Sequence, residues 1–221
     1  MNGRWEIIGE EGLRFFGEMS ASISHEIKNV LAIIHESAGL LDDFTVMAEK
    51  GMPIDPVRLK NQAGKIQKQI KRADGIIKNM NRFAHSVDEP LRNADLNEIL
   101  NLMCALSGRL AFMRGVSLDL QSPQGPVPIT TNPFHLENLV WLCLDFAMNS
   151  AGAGKTVRLS AEKRERGGQI RFSGLQGLAG APTDTFPGEK GNALLTALNA
   201  ELTLDVEAGE LVLTLKDEAS T

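Results

Sequence analysis

The sequence has no tyrosine, two tryptophans and two cysteines in 221 residues, and aromatic side chains make up 5% of it. Two cysteines are too few for a disulfide framework. Cys104 and Cys143 both lie in apolar helical stretches, where reduced core thiols are expected rather than a metal site. Basic residues are outnumbered, 23 Lys and Arg against 28 Asp and Glu, for a formal charge of -5. A nucleic-acid partner is therefore not expected, because gripping a phosphate backbone takes a basic face. No apolar run approaches the roughly 18 residues of a membrane span. The N-terminal MNGRWEIIGEEGLRFF carries acidic residues and no signal-peptide core. The expectation is no membrane contact, a cytoplasmic location and no sensor input within these residues. What is present, 43% hydrophobic and 23% charged residues, suits one large or two small domains with cores of their own.

The first half reads as two long helices. From Leu13 to Phe44 a heptad seam runs through Leu13, Phe16, Ser20, Ile23, Ile27, Val30, Ile34, Ser37, Leu41 and Phe44. Gly51, Pro53 and Pro56 break it, and Asp55 is placed to cap a second helix with Pro56 at its first position. That helix repeats the alternation through Leu59, Ala63, Ile66, Ile70, Ala73, Ile77, Met80, Ala84 and Val87. Each helix carries one apolar stripe, which is buried either by a second copy, giving a homodimeric four-helix bundle, or by packing on the rest of the chain.

After Glu89-Pro90 the pattern changes. Helices are expected over Leu96 to Met113, Pro133 to about Ser150 and Asn192 to Asn199. Strands are expected over Val116 to Leu120, Thr156 to Ala161, Gln169 to Phe172, Leu202 to Val206 and Leu211 to Leu215. The fold class is α+β: a helical hairpin over residues 1–88, then a small α/β sandwich over 89–221.

On the first helix His25 falls two places past the seam residue Ile23, facing outward. Glu26 is beside it, and Asn29 stands one turn along on the same face. Spacing alone leaves two readings open. His25 is either a solvated surface histidine or a nucleophile, its imidazole attacking phosphorus while a carboxylate takes the proton from the other ring nitrogen. His35 reads as a surface or interface residue, His85 as a helix-terminal residue and His135 as structural.

The segment Ser22-Ile23-Ser24-His25-Glu26-Ile27-Lys28-Asn29-Val30-Leu31-Ala32 resembles the H-box of sensor histidine kinases, S-H-E-[IL]-[KR]-N-P-L-A, with Val30 in place of the proline. The resemblance implies that His25 is the phosphorylated residue, Glu26 its acid/base neighbour and Asn29 a residue that can orient water. Loss of the proline removes a kink. The likeness continues beyond Pro90. Ala94 to Leu100 and Gly115 to Leu120 resemble the first elements of the kinase ATP-binding domain, and Asn132 to Ala151 resembles its asparagine-bearing helix.

The nucleotide motifs themselves fail. The asparagine positions fall on Trp141 and Asp145, of which Asp145 can still bind a cation. Phe172 to Gly180 keeps glycines, Gly174 among them, but lacks the aspartate that would hold adenine. Gly188 to Asn192 is a remnant of the phosphate loop or an ordinary turn, and the intervening segment is short for a lid. No cofactor is expected: ATP binding is lost, and magnesium comes with the partner. Most similar are the kinase-derived dimeric histidine phosphotransferases, which implies shuttling of phosphoryl groups between aspartates of response-regulator receiver domains, with a hybrid histidine kinase as a further partner. A divergent ATP-dependent kinase and a non-catalytic scaffold are the alternatives. Phe15, Met19, Ser22 and Ile33, with part of the second helix, are the expected receiver-docking residues.

Overall fold

The computed structural model describes residues 2–183 and 185–217; Asp184 and the last four residues, which fall within the expected second domain, lie outside the described residues. Contacts divide the chain into two compact units, Ser20–Asn81, and Met1–Met19 with Arg82–Thr221. Helix α1 is one continuous helix, Asn2–Glu49, about 70 Å long at 1.5 Å per residue. It runs uninterrupted through Val30, as expected once the motif's proline is gone. Helix α2, Pro56–Ala84, opens as the sequence predicts: the Asp55 carboxylate accepts from the Val57 N–H at 2.9 Å, with Pro56 first in the helix.

In the Ser20–Asn81 unit, α1 buries Ile23, Val30 and Ser37 and half-buries Ile27, Ile33, Ile34, Leu41 and Phe44. The predicted seam holds here. On α2 it needs correction. Leu59, Ile66, Ala73 and Met80 turn inward as expected, but Gln62, Gln69 and Ile76 join them, while Ala63, Ile70 and Ile77 are exposed. The apolar stripe of α2 is wider than one seam, and glutamine stems are apolar enough to take the inner edge. Leu31, Ile70 and Ile77 are left as exposed apolar residues along the hairpin.

The second unit begins with the start of α1, where the heptad also shifts. Leu13 and Phe16 are exposed, and Ile8, Phe15 and Met19 are buried instead. Phe15 lies edge-on to Phe83, with centroids 5.3 Å apart, and 5.6 Å from Phe134. These rings select the face that α1 buries here. A 3-10 turn, His85–Val87, follows α2. Strand β1 (Arg92–Asp95) pairs antiparallel with β3 (Pro128–Thr131) in a small separate sheet. Helix α3 (Leu96–Met113) is capped by Asp95, whose carboxylate accepts from the Asn97 N–H.

Strands β2 (Ser117–Leu120), β4 (Thr156–Arg164), β5 (Gly167–Ser173), β6 (Ala200–Asp205) and β7 (Glu210–Leu215) form a five-stranded sheet in the order β2-β4-β5-β7-β6. Among the described residues of this sheet, only the β2–β4 pair is parallel. Registers such as Leu159↔Phe172 and Phe172↔Leu211 align the buried side chains on one face. Helices α3, α4 (Pro133–Asn149) and α5 (Gly188–Ala197) pack against the sheet, making the expected two-layer sandwich. Both cysteines are unpaired. Burial pushes the Cys104 thiol up to about 11 and that of Cys143 up as well, so both are inert core groups. Among the described residues no helix is long and apolar enough to cross a membrane, and no cluster of His, Cys, Asp and Glu could hold a metal.

Candidate functional site

His25 lies midway along α1, exposed, with Ser24, Lys28 and Asn29 also exposed around it. Ile23 and Val30 anchor the opposite side of the helix, so the imidazole projects from a support fixed by packing. Glu26 is half-buried and turned towards α2, where its Oε1 accepts from Arg72 Nη2 at 3.4 Å. That contact marks the height at which the two helices meet: the turn of α1 that carries Glu26 lies across from the turn of α2 that carries Arg72. Neither helix shows this register in its own sequence, and Arg72 is the site residue that sequence reasoning missed.

Of the residues expected to dock a receiver, Phe15, Met19 and Ser22 are buried and only Ile33 is partly exposed. The first three are packing residues, and the docking expectation is corrected for them. The other histidines are spread out. His35 is exposed; His85 Nδ1 lies 2.7 Å from Asp88 Oδ2 at the end of α2. His135 donates its backbone N–H to the Asn132 cap at 2.9 Å, and burial lowers its pKa.

Of the positions that the resemblance aligns with nucleotide motifs, Trp141, Asp145 and Gly174 are engaged by neighbours within the fold. Trp141 is 4% exposed, and its Nε1 donates to Glu18 at 3.3 Å. Asp145 accepts from Arg114 Nη2 at 2.6 Å, so its charge is already compensated. Gly174 has φ +89, and a Cβ there would come within 2.5 Å of the Thr156 carbonyl oxygen. Gly188 has φ +71 and begins α5, two residues before Lys190, which pairs with Glu11 of α1. The loop between Gly174 and Gly188 closes onto α4 through Phe186, stacked on Phe146.

A buried acid also escaped the sequence reading. Glu137, on α4, is almost wholly inaccessible, and its pKa is raised to about 7 by burial. The Ser86 hydroxyl and the Arg92 and Arg82 guanidiniums oppose that rise. A carboxylate is expected at the surface, and nothing in its sequence context marks this one as buried.

The fold and the exposed histidine thus define a long helical hairpin joined to an α/β sandwich. No family model matches the sequence, and no curated protein matches it. Among solved structures the chain is similar to the histidine kinase AdeS of Acinetobacter baumannii, with 14% identity, 89% of this chain and 98% of that chain covered, and a TM-score of 0.47. It is likewise similar to a bacterial phosphotransferase, at 12% identity, 91% and 95% coverage and a TM-score of 0.48. The ATP-binding domain of PrrB from Mycobacterium tuberculosis is similar to 58% of this chain over 98% of its own length, at 19% identity and a TM-score of 0.44.

Proposed function

We propose that this chain is a cytoplasmic histidine phosphotransferase of a two-component phosphorelay. His25 takes a phosphoryl group from the aspartate of one response-regulator receiver and gives it to another, and a hybrid histidine kinase is a candidate source of the group. The observation that carries the reading is the H-box-like run Ser24-His25-Glu26-Ile27-Lys28-Asn29, with His25 exposed on a packed helix. In the forward step an unprotonated ring nitrogen attacks phosphorus. An N–P bond forms, the acyl O–P bond breaks, and the aspartate leaves as a carboxylate. The proton on the other ring nitrogen passes to Glu26 or to water, and transfer to the second aspartate reverses these changes. Asn29, one turn on, is suited to holding the water that would hydrolyse a partner's phosphoaspartate. Magnesium enters with the receiver, where it offsets the charge on the transferring group.

ATP has no role in this scheme. Its expected contacts are replaced by the Asp145–Arg114 ion pair, the Trp141–Glu18 hydrogen bond and the Phe146–Phe186 stack, and these support loss of nucleotide binding. The exposed Leu31, Ile70 and Ile77 support a homodimer in which a second hairpin covers them.

The test is a transfer profile. Each receiver of the source organism, phosphorylated with labelled acetyl phosphate, is mixed with wild type and with His25→Ala. Label should pass from one or a few receivers to the wild type and never to the variant. Self-labelling from ATP through His25 would favour a divergent kinase. A reconstituted pathway that runs undiminished with His25→Ala would favour a scaffold.

A further inference from the structure

The edge of the hairpin beside His25 is charged in a way the phosphotransfer reading does not use. Helix α2 carries Arg58, Lys60, Lys65, Lys68, Lys71, Arg72, Lys78 and Arg82, against one acid, Asp74, which Lys78 already engages at 2.8 Å. Lys65 and Lys68 precede Arg72 by seven and four residues, so the three stand above one another on one edge of the helix. His25 and Asn29 do the same on α1. Because the helices are antiparallel and Glu26, the residue after His25, meets Arg72 across them, Arg72 lies level with His25 along the hairpin.

Among the described residues, Lys65 and Lys68 have no ion-pair partner. Arg72 has one that is weak: the contact with Glu26 is 3.4 Å long, and the Arg72 side chain is 48% exposed. Such a pair contributes little stability, so leaving it costs little.

We infer that this edge receives the phosphorylated acidic site of a receiver, and that Arg72 moves from Glu26 to the phosphoryl group on His25 while Lys68 and Lys65 face the receiver's carboxylates. A phosphoryl group carries close to two negative charges where Glu26 carries one. Its oxygens also match the planar guanidinium fork, so Arg72 gains by the exchange. Glu26, released, is free to take the ring proton that His25 sheds. Arg72 is thus a binding residue for the transferring group, and the two lysines are docking residues for the partner's charge.

The inference rests on the phosphotransfer reading, and the experiment separates the two. Using a receiver that labels His25 in the transfer profile, rates are measured across a salt series. Arg72→Ala should lower the transfer rate at saturating receiver about a hundredfold, the lower end of what losing one transition-state donor costs, and Arg72→Lys should recover part of it. Lys65→Gln with Lys68→Gln should raise KM and flatten the salt dependence with little change in maximal rate. Lys60→Gln, about 120° around α2 from Arg72, should alter neither. Helical circular dichroism of each variant excludes unfolding as the cause. If His25 is labelled but Arg72→Ala keeps the wild-type rate and salt slope, or Lys60→Gln is equally impaired, the inference is overturned. If no receiver labels His25 at all, the phosphotransfer reading itself fails, and the inference with it.

Discussion

Phe146 and Phe186 lie face to face, ring centroids 3.9 Å apart and planes 15° from parallel. Phe146 follows Asp145 on α4, and Phe186 ends the loop that starts at Gly174. The contact therefore fastens the end of that loop to α4. A segment closed by aromatic packing is held by its own side chains.

Phe186→Ala should accordingly cost stability. Loss of a half-buried ring from a stacked pair is expected to destabilise by about 1–3 kcal/mol, below the range for fully buried phenylalanines. Urea denaturation would measure it. Calorimetry should find no micromolar ATP affinity in the variant or the wild type, since the Asp145–Arg114 pair and Trp141 remain. Micromolar binding to the wild type would remove the argument for a nucleotide-free relay.

The glycines at the two ends of this loop differ in what they tolerate. At Gly174 a side chain would meet both a left-handed backbone and the Thr156 carbonyl, whereas at Gly188 there is open space and only the positive φ is unfavourable. Gly188→Ala should cost about 1 kcal/mol. Gly174→Ala should cost more, about 2–4 kcal/mol, from strain plus overpacking. Equal losses in denaturant midpoint would show that the close approach at Gly174 relaxes freely.

Glu137 gives the chain a pH-dependent stability of a definite sign. Its folded pKa, about 7, is above the ordinary 4.5, so between those values the folded state binds more protons than the unfolded one. Stability then falls as pH rises through that window and levels off above it. The loss is on the order of 3 kcal/mol for a shift of this size. Glu137→Gln, neutral at every pH, should melt at a temperature similar to wild type near pH 5 and higher near pH 8. A wild-type melting temperature that rises from pH 5 to 8, with the same slope in the variant, would show that Glu137 is charged in the folded protein.

Much of the fold is written locally. Helix α3 runs from Leu96 to Met113 as predicted, because Asp95 caps its start and Gly115, at φ +68, turns the chain just past its end. The hairpin of β6 and β7 alternates cleanly along both strands and is equally plain. Strands β1 and β3 were not legible. Each has four residues, Arg92-Asn93-Ala94-Asp95 has no alternating pattern, and the partners are more than 30 residues apart. Their pairing is decided by tertiary packing. The same division runs through the site. His25, Glu26 and Asn29 stand out because they are contiguous in a motif. Arg72 does not, since its relation to Glu26 depends on how two helices slide past each other.

That sliding also governs which apolar residues the hairpin leaves outside. Ile70 and Ile77 are one heptad apart on α2 and both largely exposed, 55% and 43%, while Gln62 and Gln69 occupy inner positions with buried amide oxygens that have no hydrogen-bond partner. A single hairpin has no reason to place isoleucine outside and glutamine inside. The arrangement becomes favourable if a second hairpin covers the isoleucines, since each buried side chain of that size contributes about 1.5–3 kcal/mol. Ile70→Glu with Ile77→Glu should therefore convert the protein from dimer to monomer in light scattering coupled to size exclusion, with the α/β sheet signal retained. Should the double variant still elute at twice the chain mass, the second copy docks elsewhere. A monomeric wild type at micromolar concentration would show that this stripe is covered by no copy of the chain.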